Sequence, residues 1–217
     1  MSIMQCAVDE SIDIWNECVK HPFLQEMANG TLDEEKFKRY IIQDSIYLRE
    51  YARCFAGAMY KAKSLSDMRK YYSILSFVND NESTTRQRRL ASWGLSDDDV
   101  ENMSSLPENK AYTDFMLSVC EKYDDAHILM AVLPCMLSYY YIFKKLCDEK
   151  PKINESKYWD IISDYTSDRY YDDCVEWGKF AQEKCKDADE KTQKELIEIF
   201  KRSSEHELAF WNMSYGE

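Results

Sequence analysis

The chain has 217 residues, a formal net charge of −12 at pH 7, and 45% hydrophobic residues. The negative charge gives it no electrostatic attraction to nucleic acid or to anionic lipid, so neither is expected as a partner. Its 5 glycines and 4 prolines are too few for the many tight turns of an all-β protein. We therefore expect an all-α fold, a single helical domain spanning residues 1–217.

Helix-start and helix-stop signals recur along the whole sequence. The first half is predicted to contain a helix over about residues 5–20, a turn at 29–31, a long helix opened by a Thr31–Glu34 capping box and ending near Ala62, and a helix capped by Ser66. The second half is predicted to contain a short helix opened at Ser96, helices over about 109–123 and 125–147, a short helix opened at Ser156, and helices over about 168–185 and 189–215.

The longest apolar run, from Ile128 to Phe143, is shorter than the roughly 20 residues that a membrane-spanning helix needs, and it contains Pro134. It is typical of a buried core helix. The first twenty residues carry four acidic side chains, which is unlike a secretory signal. We expect a cytoplasmic protein whose eight scattered cysteines, which form no C-x-x-C pair, are reduced.

Asp44 interrupts the apolar face of the long second helix. That face repeats at helical spacing through Tyr40, Ile41, Tyr47 and Leu48. Because a buried carboxylate without a partner is costly, Asp44 must have a partner or face a polar cavity. The alternative is a structural carboxylate bonded to a neighbouring helix.

Cys135 follows a proline inside the predicted core helix. Pro134 lacks an N–H, so it leaves the carbonyl of Met130 without its helical partner and kinks the chain. A thiol beside such a break is a competent nucleophile if its surroundings favour the thiolate. The alternative is a small core residue next to an ordinary proline kink.

Glu207 lies on the apolar face of the last helix, with Phe210 and Trp211 about one turn away. An aromatic pocket disfavours the charged form of a carboxyl group, which suits a general acid near neutral pH. The alternative is an exposed glutamate near the end of the helix.

Tyrosine is abundant, with 16 residues. A tyrosine can stack on a flat ring and also donate a hydrogen bond, so several phenols in one core favour a heteroaromatic ligand, although an aromatic stripe is more often simply core. Those on inward faces by spacing are Tyr47, Tyr51, Tyr112, Tyr139 and Tyr165.

No metal or cofactor site is predicted. A di-iron bundle requires two Glu-x-x-His pairs, and none of the three histidines, His21, His127 and His206, follows a glutamate by three positions. No glycine-rich phosphate loop occurs. Haem ligation by His21 stays open, without a specific signal that supports it.

Five segments in this order match a known family. They are Trp15–Phe23 with its His-Pro-Phe end, Tyr40–Leu48 with Gln43-Asp44, Pro134-Cys135 with Tyr139, the set Tyr158, Ile161, Ile162 and Tyr165, and Ser203–Met213 with its Glu-x-x-Phe-Trp signature. Over nearly its whole length the chain resembles TenA, the thiaminase II family.

The resemblance implies a haem-oxygenase-like fold, a homotetramer, and a pocket for the aminopyrimidine of thiamin or of a breakdown product. It places this chain in the branch of the family that keeps the cysteine. Residue by residue, it implies Cys135 as nucleophile, Glu207 as acid and base, Asp44 at the amidine edge of the ring, Tyr47 and Tyr112 around the cysteine, Tyr139 and Tyr165 against the ring, and Phe210 in the pocket wall.

Two positions depart from the family pattern. Ile161 stands where the family has tryptophan, which makes the wall beside Tyr165 roomier. The family often has Glu-x-x-x-His in its third helical region, but here Glu82 is followed by Arg86, which is expected to pair with Glu82.

The expected activity is hydrolysis of a thiamin-related aminopyrimidine, with release of ammonia from 5-aminomethyl-2-methylpyrimidin-4-amine or of thiazole from thiamin. The sequence does not choose between the two. Two other classes remain open: a haem-oxygenase-like protein with redox or metal chemistry, and a non-catalytic helical module with a regulatory role.

Overall fold

The computed structural model describes residues 2–80 and 82–216, with the side chains of all of them except 76–80, 82 and 83. Within these ranges no residue lies in a strand, so the predicted all-α class is confirmed. The described α-helices are α1 (Ile3–Lys20), α2 (Pro22–Asn29), α3 (Glu34–Lys61), α4 (Leu65–Asp80), α5 (Glu82–Ser92), α6 (Asp97–Glu101), α7 (Pro107–Lys122), α8 (Asp125–Glu149), α9 (Trp159–Tyr165), α10 (Asp168–Cys185) and α11 (Glu190–Tyr215), with a 3-10 turn at Ile153–Glu155.

Helix α8 is the core of the bundle and packs against α1, α3, α7, α9, α10 and α11. All side chains from Ile128 to Pro134 are buried. By length and composition alone α8 could cross a membrane, but 78% of its apolar stretch is buried inside the fold. The surrounding helices therefore supply the apolar environment that this sequence needs, as predicted for the run from Ile128 to Phe143.

Three predicted helix starts, at Thr31, Ser66 and Ser156, were wrong. The carboxylate of Asp33, not Thr31, accepts the backbone N–H groups of Glu35 and Lys36 at 2.9 and 3.3 Å. Asp33 directly precedes the first helical residue, which is the position where a side-chain oxygen reaches the free N–H groups. Thr31 instead donates to the carbonyl of Glu26 at 3.4 Å and helps to close α2.

In the same way, Ser64 Oγ accepts the N–H of Asp67 at 3.0 Å, so Ser64 takes the place predicted for Ser66. Ser156 is not the cap of α9, because α9 begins at Trp159 and its cap residue is Tyr158; the Ser156 hydroxyl donates to the carbonyl of Met27 at 2.6 Å and accepts the N–H of Tyr158 at 3.2 Å. The predicted cap at Ser96 is confirmed, with a full capping box that includes Asp99.

Helix α2 was not predicted. It begins immediately after α1, where His21 Nδ1 accepts the N–H of Phe23 at 3.1 Å, and Pro22 occupies the first turn. It ends at Gly30, whose φ of 72° is the left-handed conformation that glycine adopts without strain. Histidine is an uncommon helix-capping residue, so the sequence pattern predicted only the turn at residues 29–31 and not the helix before it.

Four mutually packed helices, α3, α7, α8 and α11, carry most of the predicted site residues. Helix α9 joins them by packing against α8. Residues distant in sequence therefore meet at one place inside the bundle.

Candidate active site

Glu207 is the central titratable group of this region. Its side chain is buried, with 2% of the residue exposed. Tyr112 Oη donates to Glu207 Oε1 at 2.8 Å, and the thiol of Cys135 also hydrogen-bonds to the carboxyl group. Burial raises the pKa of Glu207 to about 8, and the charge of Asp44 acts in the same direction, while the two hydrogen bonds oppose the rise.

Cys135 is half-buried on α8, immediately after the proline inside that helix. Its hydrogen bond to Glu207 places a thiol next to a carboxyl group that can take up or return a proton. Two residues that are 72 positions apart in sequence thus bring a thiol and a carboxyl group into direct contact. This is the arrangement expected of an activated cysteine.

Tyr47 and Tyr112 lie beside this pair. Their ring centroids are 5.0 Å apart, and both residues are buried. Burial holds the pKa of each phenol well above its ordinary value, and the negative charges of Cys135 and Glu207 add to the effect. Both phenols therefore stay protonated and serve as hydrogen-bond donors, Tyr47 to Met116 Sδ at 3.6 Å and Tyr112 to Glu207.

Asp44 is half-buried and lines a cavity of about 230 Å³. Burial raises its pKa to about 6, and the positive charge of Arg86 opposes that rise. Asp44 therefore faces a polar cavity, and a cation lies near it. The sequence pattern predicted either a partner or a polar cavity for this carboxylate.

The cavity is enclosed by α3, α5, α9 and α10. Its inner wall includes Tyr40, Asp44 and Tyr165, and Ile161 forms part of its side. Cys135 and Glu207 are not among the lining residues, but the charge of Cys135 acts on Tyr40 and the charge of Asp44 acts on Glu207 across the wall. The cavity and the Cys135–Glu207 pair are thus neighbours that share Asp44 and Tyr40 as their boundary.

The predicted ring-binding residues form an aromatic group at this boundary. The rings of Tyr139 and Tyr165 are 4.9 Å apart, and Tyr139 is 5.2 Å from Trp211. Phe210 presents its ring edge-on to Tyr47 at 6.0 Å. A flat heteroaromatic ligand would find both faces and edges of aromatic rings here.

Sequence reasoning missed Tyr40 as a site residue. Its hydroxyl interacts with those of Tyr139 and Tyr165, and its ring stacks on Trp211 with centroids 5.3 Å apart. The available signal was its position one helical turn before Asp44 on the same face of α3. That signal alone does not separate a core tyrosine from one that lines a cavity.

The three histidines do not form a ligand set. His21 caps α2 and bonds Asn212 at 3.0 Å, and His127 is paired with Asp124 at 2.6 Å. His206 stacks on Tyr112 with centroids 5.1 Å apart, and burial, aided by the charge of Arg202, lowers its pKa to about 4. Among the described residues, no group of three or more His, Cys, Asp or Glu could hold a metal ion.

Arg86 has other contacts than the one predicted for it. Its Nη1 donates to Ser45 Oγ at 2.6 Å and lies 3.9 Å from Asp97 Oδ1. The side chain of Glu82, its predicted partner, lies outside the described residues. Arg86 is directed toward the helix that carries Asp44.

Comparison with known proteins finds a family match over almost the whole chain. Residues 9–217 match the model of the TENA/THI-4/PQQC family. The chain is 32% identical to an aminopyrimidine aminohydrolase of Helicobacter pylori over 99% of both chains. It is 30% identical to the protein of that name from Halalkalibacterium halodurans, over 100% of this chain and 97% of the relative.

Solved structures show the same architecture. A TenA homologue from P. horikoshii superposes with a TM-score of 0.88 at 28% identity and covers 99% of both chains. A protein with a haem-oxygenase-like fold from Shewanella denitrificans superposes with a TM-score of 0.71 at 13% identity, which supports the fold alone. With a family match over almost its whole length, the chain belongs to the TENA/THI-4/PQQC family.

Proposed function

We propose that this protein hydrolyses a thiamin-related aminopyrimidine by covalent catalysis at Cys135. The observation that carries the proposal is the buried Glu207 carboxyl group, which is hydrogen-bonded to the Cys135 thiol and to Tyr112. The names of the relatives from Helicobacter pylori and Halalkalibacterium halodurans support the substrate class. The proposed setting is cytoplasmic thiamin salvage, with no cofactor.

An aminopyrimidine with a leaving group on its 5-methylene carbon resists direct displacement by water, because the electron-poor aromatic ring to which that carbon is attached does not stabilise the positive charge that develops as the leaving group departs. Addition of the Cys135 sulfur to the adjacent ring carbon forms a C–S bond and removes aromaticity. The electron pair of the exocyclic amine then expels the leaving group. Water adds to the exposed methylene carbon, the C–S bond breaks, and the aromatic hydroxymethyl pyrimidine is restored.

Glu207 has the properties that both proton transfers require. With a pKa of about 8 it is mostly protonated at neutral pH, so it can protonate a departing amine. The resulting carboxylate can then accept a proton from the attacking water. Tyr112 stabilises that carboxylate through its hydrogen bond at 2.8 Å.

The remaining residues bind the ring. Asp44 accepts N–H groups of the amidine edge, Tyr139 and Tyr165 contact the ring, and Phe210 walls the pocket. Tyr47 and Tyr112 hold the cysteine. The half-buried Asp44 and the aromatic group beside it support these roles.

The first test is to incubate the purified protein separately with thiamin and with 5-aminomethyl-2-methylpyrimidin-4-amine and to follow hydroxymethyl pyrimidine by chromatography. We expect product from both and faster turnover of the aminopyrimidine, which marks a salvage aminohydrolase. Faster turnover of thiamin would make the protein a thiaminase. No product from either compound would overturn the proposed activity.

Substitution of the nucleophile is the second test. Cys135→Ser is expected to lower kcat by about 10³-fold or more, because a hydroxyl group is a far weaker nucleophile than a thiolate. The matched control is Cys147→Ser on the same helix α8, which is expected to keep wild-type turnover. Equal activity of Cys135→Ser and wild type, with both folded by circular dichroism, would exclude the covalent route.

A further inference from the structure

Arg86 shares the cavity of about 230 Å³ with Asp44. The two residues come from different helices, α5 and α3. The arginine side chain is only 13% exposed, so its charge is screened less by water than that of a surface arginine. The cavity wall therefore contains a partly buried cation close to the proposed ring-binding carboxylate.

The guanidinium group is held in place by α3 itself. Its Nη1 donates to Ser45 Oγ at 2.6 Å, and that hydroxyl donates to the carbonyl of Ile41 at 2.7 Å. Ser45 is the residue directly after Asp44. Asp97 lies at 3.9 Å, close enough to attract the cation but beyond hydrogen-bonding distance. The position of the cation is thus tied to the turn of helix that carries Asp44.

One donor of this arginine is unused. The Nε of Arg86 is buried and has no hydrogen-bond partner in the part of the chain that the structure describes. A guanidinium group has five hydrogen-bond donors. A buried donor without a partner destabilises the folded state unless another favourable interaction of the same group offsets the cost. The arrangement is therefore better explained by an electrostatic task inside the cavity than by packing alone.

The Arg86 charge acts on the ionisation of Asp44. Burial raises the pKa of Asp44 to about 6, and the Arg86 charge acts against it. The carboxyl group is mostly ionised at pH 7 as it stands. Without the cation its pKa would rise further, toward neutral pH, and a growing share of the protein would carry a protonated Asp44.

We infer that Arg86 is a positioning residue that keeps Asp44 ionised, and that the site thereby selects a substrate edge with two N–H donors or a positive charge. The inference rests on the proposed role of Asp44 in binding the aminopyrimidine. An ionised carboxylate accepts two N–H groups side by side, as the amino group and protonated ring nitrogen of an aminopyrimidine present them. A protonated carboxyl group would meet that edge with a donor of its own.

Other charged and titratable groups face the same space. Helices α9 and α10 contribute Asp164, Arg169 and Asp173, and the phenols of Tyr40, Tyr165 and Tyr170 complete the wall. A negative charge on either carboxyl group would oppose ionisation of Asp44. Glu207, on α11, does so only when it is itself ionised, and its pKa of about 8 keeps it mostly neutral at pH 7. Arg86 is the cation whose charge acts on Asp44.

The test compares three variants. Arg86→Gln removes the charge and keeps a polar amide, Arg86→Lys keeps the charge, and the control Arg53→Gln removes a charge from an exposed position on α3, outside the cavity. KM and kcat for the aminopyrimidine are measured from pH 5.5 to 8.5. In parallel, the Asp44 carboxyl group is titrated by carbon NMR in the ligand-free protein, with Asp44→Asn for assignment.

We expect Arg86→Gln to raise KM by about threefold at pH 6.5 and about eightfold at pH 5.5, as follows from a rise of about one unit in the pKa of Asp44, from about 6 to about 7. The increase should shrink toward pH 8.5, where Asp44 ionises without help, and kcat should change much less than KM. Arg86→Lys should restore most of the binding, and Arg53→Gln should match wild type. The NMR titration of Asp44 should move to higher pH in Arg86→Gln alone.

An increase in KM that is equal at all pH values, or an unshifted Asp44 titration in Arg86→Gln, would overturn the inference. The NMR measurement uses no substrate. If the wild-type protein turned over neither compound, the proposed function would fail, while the titration would still decide whether Arg86 controls the charge of Asp44.

Discussion

At the scale of single residues, the most consequential group is the carboxyl of Glu207. Ionisation is energetically unfavourable for an acid that is 2% exposed and surrounded by aromatic rings. Hydrogen bonds from Tyr112 and Cys135 recover only part of that cost, and its pKa stays near 8. The same property that suits Glu207 to proton transfer makes the folded state bind a proton more tightly than the unfolded chain does.

This linkage predicts a pH dependence of stability. The pKa of Glu207 in the folded state is above its unfolded value of 4.5. The contribution of Glu207 to the free energy of unfolding is therefore complete below pH 4.5 and is lost as the pH rises through 8. Asp44 acts in the same direction, but mostly below pH 6. Between pH 6 and 8 the wild-type free energy of unfolding should therefore fall by about 2 kcal/mol more than that of Glu207→Gln.

Urea unfolding at several pH values measures this difference. The variant should also lose about 10²- to 10⁴-fold in kcat, the range typical of a lost acid–base group. Parallel stability curves for the two proteins would show that Glu207 is not the group whose proton affinity changes on folding.

At the scale of elements, a buried ion network joins three helices at the end of the bundle away from α9. Lys184 on α10 lies 2.6 Å from Asp125 on α8 and 3.1 Å from Asp67 on α4. Tyr71 Oη also donates to Asp125 at 3.1 Å. Asp125 is 5% exposed, so it depends on these partners for the solvation that water no longer provides.

Lys184→Met is expected to lower the free energy of unfolding by about 3 kcal/mol, because it leaves a buried carboxylate without its cation. The matched control is Lys186→Met, two positions along, which removes an exposed ion pair with Glu183 and should cost less than about 1 kcal/mol. Denaturant unfolding at pH 7 compares the two. A similar loss in both variants would mean that the network adds nothing beyond a surface pair.

At the scale of the whole molecule, the resemblance to TenA predicts a homotetramer. Three large side chains on α3 and α4, Tyr60, Leu65 and Tyr72, are 87%, 62% and 63% exposed in the single chain. Light scattering coupled to size exclusion should give a mass about four times the 25.8 kDa of one chain, stable on dilution. A mass equal to one chain at micromolar concentration would contradict the prediction.

Much of the molecule could be predicted from sequence because the signals are local. Helical periodicity and few glycines determined the all-α class, and the bounds of α10 coincide with the prediction. The caps were harder: Thr31 and Asp33, or Ser64 and Ser66, are equally good candidates by residue type. Which one reaches the free N–H groups depends on where the backbone turns, and neighbouring helices decide that.

The sequence by itself determined which residues are chemically suited to the site: a cysteine after a proline, a glutamate among aromatic residues and an aspartate on an apolar face. Only the tertiary structure decided that Glu207 touches both Tyr112 and Cys135, that Tyr40 borders the cavity, and that Arg86 lies beside Asp44. The reason is physical. Residue type and helical spacing are properties of the local chain, whereas pKa values and cavities depend on the burial and charges that other helices bring to a group.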